Sequence, residues 1–289
     1  MTTTFKDSLP EEMVKHISAI CGARGKEWFD ALPEIIRRLE DQWSVKVLEP
    51  FPGIEYNFVA PAVLDDGTDT VVKISPPFER IEIFNEARYL SSREGVGAVK
   101  LLAVDRDLKA ILIERALPGE ALFRRFDYDP LRCVQPAIRV LESILRPEPS
   151  DMTDVGTLDG WFKNFRRYSE TDFPASYAEK AFEIYGRLSP QSGRTFHLHG
   201  DFHPGNIVTS DRSEFLAIDP KGIVGHLGYD IAVFLNNLHW WRRKSPDIAE
   251  FLSDAIKQFA LAFAFDGREL REWAYAYMVI GACQNRYRR

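Results

Sequence analysis

The chain opens in a helical period. In "SLPEEMVKHISAICG", Ser8 and Glu11 stand in capping-box spacing with Pro10 inside the first turn, and "LPEIIRRLEDQW" is a second amphipathic run. From Val45 the period shortens to that of strands. "SVKVLEPF" and "EYNFVAPAVL" are separated by Pro52 and Gly53, and "DDGTD", centred on Asp66 and Gly67, signals a hairpin into the β-branched "TVVKISP". "PFERIEIFNEARYLSSR" has helical spacing again, with Ile81, Phe84, Ala87 and Leu90 as the expected buried stripe. "AVKLLAVDRDLKAILIER" then predicts a strand pair turning at Asp105–Asp107. This first portion reads as a mainly antiparallel sheet with one inserted helix.

Beyond "ERALPGE" the pattern is mostly helical, with helices expected over 130–146, 159–169, 174–188, 228–243, 246–265 and 268–286. A loop-rich segment, 195–225, interrupts them with short strands. Pro118 and Gly119 mark the junction, so the expected domains are residues 1–116, β-rich, and 117–289, α-rich. The class is α+β.

Composition narrows the partners. A hydrophobic share of 45% over 289 residues supports a real core, and a net charge of −6 argues against nucleic acid, which would select a basic field. Cys21, Cys133 and Cys283 form neither a CxxC pair nor a disulfide framework, which points to a reduced, cytoplasmic setting. The start, "MTTTFKDSLPEEM", has no apolar run, and "AYAYMVIGAC" is far shorter than the roughly 20 residues of a bilayer span. No membrane association is expected.

The chemistry concentrates in "HLHGDFHPGN", residues 197–206. One reading is a metallo-hydrolase. His197, His199, Asp201 and His203 alternate, as ligands on one face of a strand would. However, Gly200, Pro204 and Gly205 break such a ribbon, and only His226 and His239 lie downstream as further ligands. The other reading rests on Asp201 and Asn206, which have the spacing of a kinase catalytic loop, H-R-D-x-x-x-x-N, with His199 in place of its histidine. There a carboxylate accepts the proton of the attacking hydroxyl, and a carboxamide oxygen binds Mg2+ without adding charge. "FLAIDPKG" follows, an apolar strand ending in Asp219, which suits a second Mg2+ ligand. Upstream, Lys73 in "TVVKI" sits on an expected strand. Glu86 in "NEARYL" lies on the following helix as its ion-pair partner, with Glu82 as the second choice. Lysine, glutamate, the hinge "IERALPGE", D-x-x-x-x-N and a strand-end aspartate occur in kinase order, which decides for Asp201. No A-P-E-type segment follows Asp219, which counts against a protein kinase. No element is lost, as a non-catalytic nucleotide-binding module would allow.

"HGDFHPGN" followed by "LAIDPKGIVGHLGYDIA" resembles the aminoglycoside phosphotransferase superfamily, and within it the streptomycin 6-kinase and hydroxyurea phosphotransferase branch. The resemblance is dense over 195–236 and ordered but thin over 45–120. It implies a protein-kinase-like bilobal fold with a small β-rich N-lobe and a larger helical C-lobe. It also implies transfer of the ATP γ-phosphate to a hydroxyl of a small acceptor such as an aminoglycoside. Choline, homoserine or hydroxyurea kinases are the alternative. By the resemblance Asp201 is the catalytic base, and Asn206 and Asp219 hold Mg2+. Lys73 and Glu86, with Glu114 and Ala116 of the hinge, serve the ATP. Asp230 starts a helix that braces the catalytic loop, His199 supports that loop, and His203 points at the phosphates or at the base. Three features depart from the pattern: no glycine-rich loop beyond Gly53 in "PFPGIEYNFV", "GHLGYD" where "GDPAYD" is familiar, and Lys221, either a phosphate neutraliser or a solvated loop lysine. Asp159, Glu170 and Asp172 are candidate partners for a cationic acceptor, and Trp240 and Trp241 either stack on a sugar ring or pack between helices.

Overall fold

The computed structural model describes residues 9–78, 82–169, 174–190, 193–237 and 248–287. The chain divides into two compact units, Met1–Gly95 with Val99–Arg115, and Val96–Ala98 with Ala116–Arg289.

The first unit begins with α1 (Glu11–Cys21) and α2 (Ala23–Trp43). Pro10, expected inside the first turn, is instead the N-cap of α1, and no side chain caps that end. Ser8 lies outside the described residues. The second helix starts nine residues before the expected run and carries Pro33 within it. Next come β1 (Val45–Val47), β2 (Phe58–Leu64), β3 (Asp69–Ile74), α3 (Ile83–Arg93), β4 (Leu101–Asp105) and β5 (Ala110–Glu114). The strands make one antiparallel sheet in the order β1-β2-β3-β5-β4. The hairpin after β2 closes as its residues dictate. Gly67 takes φ +87°, its N–H donates to Leu64 O, and Asp66 Oδ1 accepts the Thr68 N–H. Met13, Ile17, Phe29, Leu32 and Leu39 of the helices pack with Phe58, Ala60, Val72 and Ile74 of the sheet. Burial of that apolar area is the dominant stabilising term here. The expected stripe of α3 holds in part. Ala87 and Leu90 are buried as expected, joined by Ile83, Glu86 and Tyr89; Phe84 is half-buried and Ile81 lies outside the described residues.

The second unit contains β6 (Pro118–Ala121), α4 (Leu122–Arg125), α5 (Pro130–Ile144), β7 (Gly156–Thr157), α6 (Leu158–Ser169) and α7 (Ala175–Leu188). It continues with β8 (Thr195–Leu198), β9 (Ile207–Ser210), β10 (Phe215–Ala217), β11 (Ile223–His226), α8 (Gly228–Asn237), α9 (Ile248–Phe263) and α10 (Gly267–Tyr287). Asp129 caps α5 by accepting the Leu131 N–H, with Pro130 in the first turn where its missing donor costs nothing. The extension of α8 to 243 falls outside the described residues. The short strands form two three-stranded sheets, β10-β9-β6 and β7-β11-β8. No described helix is long and apolar enough to cross a membrane.

The helical unit packs around Trp273 of α10, a fully buried side chain stacked on His226 of β11 with ring centroids 5.0 Å apart. A Cβ at Gly228 would come within 2.4 Å of the Trp273 ring, so only glycine lets α8 start there. Gly228→Ala should therefore destabilise by about 1–3 kcal/mol. Gly186→Ala, in α7 with open space around it, should be neutral or stabilising by up to about 1 kcal/mol. Urea denaturation midpoints of the two variants separate these outcomes.

His226 Nδ1 accepts the Gly228 N–H, which places its proton on Nε2, 3.7 Å from Glu269 Oε1. Burial, and then the Arg194 charge, push this imidazole down to about 4 from an ordinary 6.5. Between those values the unfolded chain binds a proton that the folded protein refuses, so stability falls as pH drops from 6.5 toward 4, by about 3 kcal/mol in all. His226→Phe, which keeps the ring stack, should flatten this part of the stability–pH curve.

Candidate active site

In the β-rich unit, Lys73 sits on β3, with β2 on one side (Val59↔Lys73) and β5 on the other (Lys73↔Ile111). Its Nζ lies 2.6 Å from Glu86 Oε1 of α3, and both side chains are more than nine-tenths buried. Glu86 is thus the helix carboxylate paired with Lys73; Glu82 is the exposed residue preceding α3. A buried pair held this closely gives the ammonium a defined position, and removing either partner leaves an uncompensated buried charge. Glu114 ends β5. Its N–H donates to Lys100 O, and its carboxylate accepts the Lys100 N–H at 2.8 Å. Ala116 begins the main segment of the second unit.

In the helical unit the loop following β8 carries His199, Asp201, His203 and Asn206. Asp230, in the first turn of α8 and 1% exposed, accepts two of the loop's backbone N–H groups, from His199 (2.8 Å) and Gly200 (2.7 Å). Gly200 takes φ +79°, and a Cβ there would press within about 3 Å of Lys221 and Ile223. The His199 ring bridges backbone on both sides. Its Nε2 lies 3.0 Å from Ile218 O, and Nδ1 accepts the Asp201 N–H at 3.3 Å, the pattern of a neutral imidazole protonated on Nε2.

The segment bearing Asp219 is stitched to this loop. Ile218 N–H donates to Asn206 O (2.9 Å), and Lys221 N–H to His199 O (2.7 Å). Asp219, just past β10, adopts φ +57°, a left-handed backbone that aspartate tolerates better than most residues and that recurs at functional positions. Asn206 Nδ2 donates to Asp201 O at 3.0 Å, which fixes how the carboxamide is turned. His203 Nδ1 accepts the Gly205 N–H, and its Nε2 is 3.9 Å from Asp201 Oδ1. Burial, helped by the Lys221 charge, lowers its pKa against the upward pull of Asp201 and Asp219. The structure therefore gathers Asp201, His203, Asn206, Asp219 and Lys221 into one electrostatic neighbourhood, with Asp230 beneath it.

The oxygen donors of Asn206 and Asp219 are of the hard type that Mg2+ prefers, and two such groups leave room for phosphate and water ligands. The histidine-metal reading is not supported. His199 has both ring nitrogens on backbone partners, and His203 Nδ1 takes a backbone N–H. Among the described residues no group of three or more His, Cys, Asp or Glu is arranged to hold a metal. His197 is buried in β8.

Of the candidates for the acceptor, Asp159 alone falls within the described residues. The Asp159 carboxylate accepts the Tyr185 hydroxyl. Glu170, Asp172, Trp240 and Trp241 lie outside the described residues. Two residues not expected from the sequence lie within the field of Asp201. Tyr229 and Tyr277 pack edge to face, centroids 5.6 Å apart, with Trp161 against Tyr229. Burial and then the Asp201 charge push Tyr277 up to about 12, while burial and neighbouring charges, including Asp201, hold Tyr229 well above its ordinary range. Tyr229 stands in the "GYDIA" stretch already singled out for Asp230; Tyr277 has no local signal.

A small β-rich unit with a buried Lys–Glu pair, and a larger helical unit with an interlocked D-x-x-x-x-N loop and strand-end aspartate, define a protein-kinase-like phosphotransferase acting on a hydroxyl group. The chain belongs to the aminoglycoside/hydroxyurea antibiotic resistance kinase family, whose sequence model matches residues 48–288. It is 29% identical over 242 residues to the hydroxyurea phosphotransferase of Kitasatospora aureofaciens, covering 79% of this chain and 68% of that one. It is 27% identical over 244 residues to the streptomycin 6-kinase of Streptomyces glaucescens, covering 80% and 75%. Among solved structures, amicoumacin kinase hAmiN in complex with AMP-PNP, Ca2+ and Ami superposes with a TM-score of 0.61 at 17% identity, over 93% of this chain and 87% of that one.

If Asp230 holds the catalytic loop, Asp230→Asn turns an amide N–H toward backbone donors and leaves one of them unpaired. The variant should lose about 2–4 kcal/mol of stability, read by urea denaturation. An unchanged midpoint would remove Asp230 from that role.

Proposed function

We propose that the protein transfers the γ-phosphate of ATP, with Mg2+, to a hydroxyl of an aminoglycoside-type antibiotic such as streptomycin. Residues 1–116 supply nucleotide binding, and 117–289 supply the catalytic loop, the metal ligands and the acceptor site. The observation that carries this reading is the interlocking of the 199–206 loop with the 218–222 segment, which fixes Asp201, Asn206 and Asp219 on one framework. Family membership and the nucleotide and divalent ion bound by the amicoumacin kinase support it.

Asp201 accepts the proton of the acceptor hydroxyl and orients that oxygen. The oxygen forms its bond to the γ-phosphorus as the bond from phosphorus to the β–γ bridging oxygen breaks, and ADP leaves. Lys73, positioned by Glu86, contacts the α- and β-phosphates, and Glu114 and Ala116 serve the adenosine end. Asn206 and Asp219 would hold Mg2+, which supplies charge neutralisation at the phosphate oxygens. His203, neutral and carrying its proton on the nitrogen that faces Asp201, steadies the ionised base. His199 and Asp230 keep the loop from shifting. Catalysis is then mainly positioning and electrostatic stabilisation.

The likeness to a hydroxyurea phosphotransferase favours hydroxyurea as a second acceptor class, since its hydroxyl could meet the same base. An ATP-consumption assay against streptomycin, other aminoglycosides, hydroxyurea, choline and homoserine discriminates among them. Consumption stimulated by none of the hydroxyl compounds would refute the reading.

Asp201→Asn should lower kcat by about a hundredfold or more while ATP still binds. Full activity in that variant would exclude Asp201 as the base. Lys73→Ala should raise the KM for ATP about tenfold or more, the worth of a charge-assisted contact. An unaltered ATP dependence would exclude Lys73 from the site.

A further inference from the structure

The β1–β2 connection is the part of the β-rich unit that most lacks the glycines expected of a phosphate-covering loop, and the structure shows another device there. The hairpin ladder runs beyond the strands, with Leu48 N–H to Pro61 O (2.9 Å) and Phe51 N–H to Val59 O (3.0 Å), so the tip is residues 52–57. One flank of the tip is open: Gly53 has φ +75°, and a Cβ there would meet nothing within 4 Å. The other flank is held by α1. The His16 ring stacks on Tyr56 with centroids 5.3 Å apart and planes 10° from parallel. Its Nδ1 lies 3.7 Å from Glu55 Oε2 of the tip, and its Nε2 lies 3.8 Å from Glu12 Oε2 one turn earlier on α1. Ile54 packs against the apolar core. The helix itself is anchored, since Met13 and Ile17 on either side of His16 are both fully buried.

We propose that α1 is a brace for the β1–β2 loop, and that His16, acting through Tyr56 and Glu55, is a positioning residue for the phosphates of the bound nucleotide. The inference rests on the nucleotide-binding reading above. It goes beyond the family match, which begins at residue 48 and so does not include α1. A tip of irregular backbone must be ordered before its N–H groups can meet phosphate oxygens, and that entropy is charged against affinity unless the free protein has already met it. Glycines would leave the tip mobile; a stacked aromatic pair on a rigid helix does the reverse. The partly exposed carboxylate contacts contribute little by themselves, so the ring stack carries most of the effect.

The experiment is hydrogen exchange of the nucleotide-free full chain, paired with ATP titration and steady-state kinetics. In His16→Ala the amides of residues 53–57 should exchange about three- to tenfold faster, and the Kd and KM for ATP should rise by a similar factor, with kcat at saturating ATP little changed. Tyr56→Ala should behave alike, and His16→Phe should restore both readouts by restoring the stack. Unchanged exchange at 53–57 in His16→Ala overturns the proposal. So does a loss spread over α1 with a lower denaturation midpoint and no shift in ATP affinity, which is the mark of a merely structural contact. Lys73→Ala separates the two levels. If it alters ATP use and His16→Ala does not, only the brace fails; if neither alters ATP use, the nucleotide reading fails with it.

Discussion

A buried carboxylate holding backbone N–H groups is the constraint from which the helical unit's chemistry follows. Asp230 is 1% exposed and accepts hydrogen bonds from His199 and Gly200. A charge this deep persists only when its oxygens are satisfied. The loop must therefore present two consecutive amides to it, and Gly200, at φ +79°, is the residue that turns the chain so that it can. Asp201 follows at once, and its side-chain direction is inherited from that turn. The helix start that carries Asp230 is fixed in turn by Gly228 lying flat against Trp273. Core packing, helix position, loop conformation and the direction of Asp201 form one chain of cause.

The β-rich unit solves a similar problem differently. Lys73 and Glu86 come from a central strand and the helix after it, and each is buried by apolar neighbours that neither could face alone. Packing decides where the helix lies, and the helix decides where the ammonium sits. In both units a charged group is placed by something other than its ligand, as electrostatic preorganisation requires.

Much of this was legible because the residues concerned are constrained locally. The spacing of Asp201 and Asn206, the apolar strand before Asp219, and the Asp66–Gly67 hairpin are each dictated within a few residues. What escaped depends on contacts between distant segments. The buried face of α3 keeps Ala87 and Leu90 of the expected stripe and adds Ile83, Glu86 and Tyr89, because packing against the rest of the unit, rather than periodicity alone, sets which face turns inward. Tyr277 reaches the neighbourhood of Asp201 only through the packing of α10 on α8. The Tyr185 hydroxyl of α7 that Asp159 accepts comes from 26 positions away, which no local pattern gives. His16 and Tyr56 lie 40 positions apart, and no local pattern announces their stack.

The histidines show how composition misleads where geometry does not. An alternating His-x-His-x-Asp-x-His run presents four ligand types to one face only if the backbone stays extended. Here Gly200 turns the chain at the centre of the run, so the imidazoles meet different partners. His197 remains buried in its strand, while His199 spans Asp201 N–H and Ile218 O. His203 folds back on Gly205. An imidazole whose two nitrogens already serve backbone groups has no lone pair left for a metal without breaking those bonds. The same bonds make His199 a strut between the loop of Asp201 and the segment of Asp219. One histidine of the run thus ties together the two segments that carry Asp201 and Asp219.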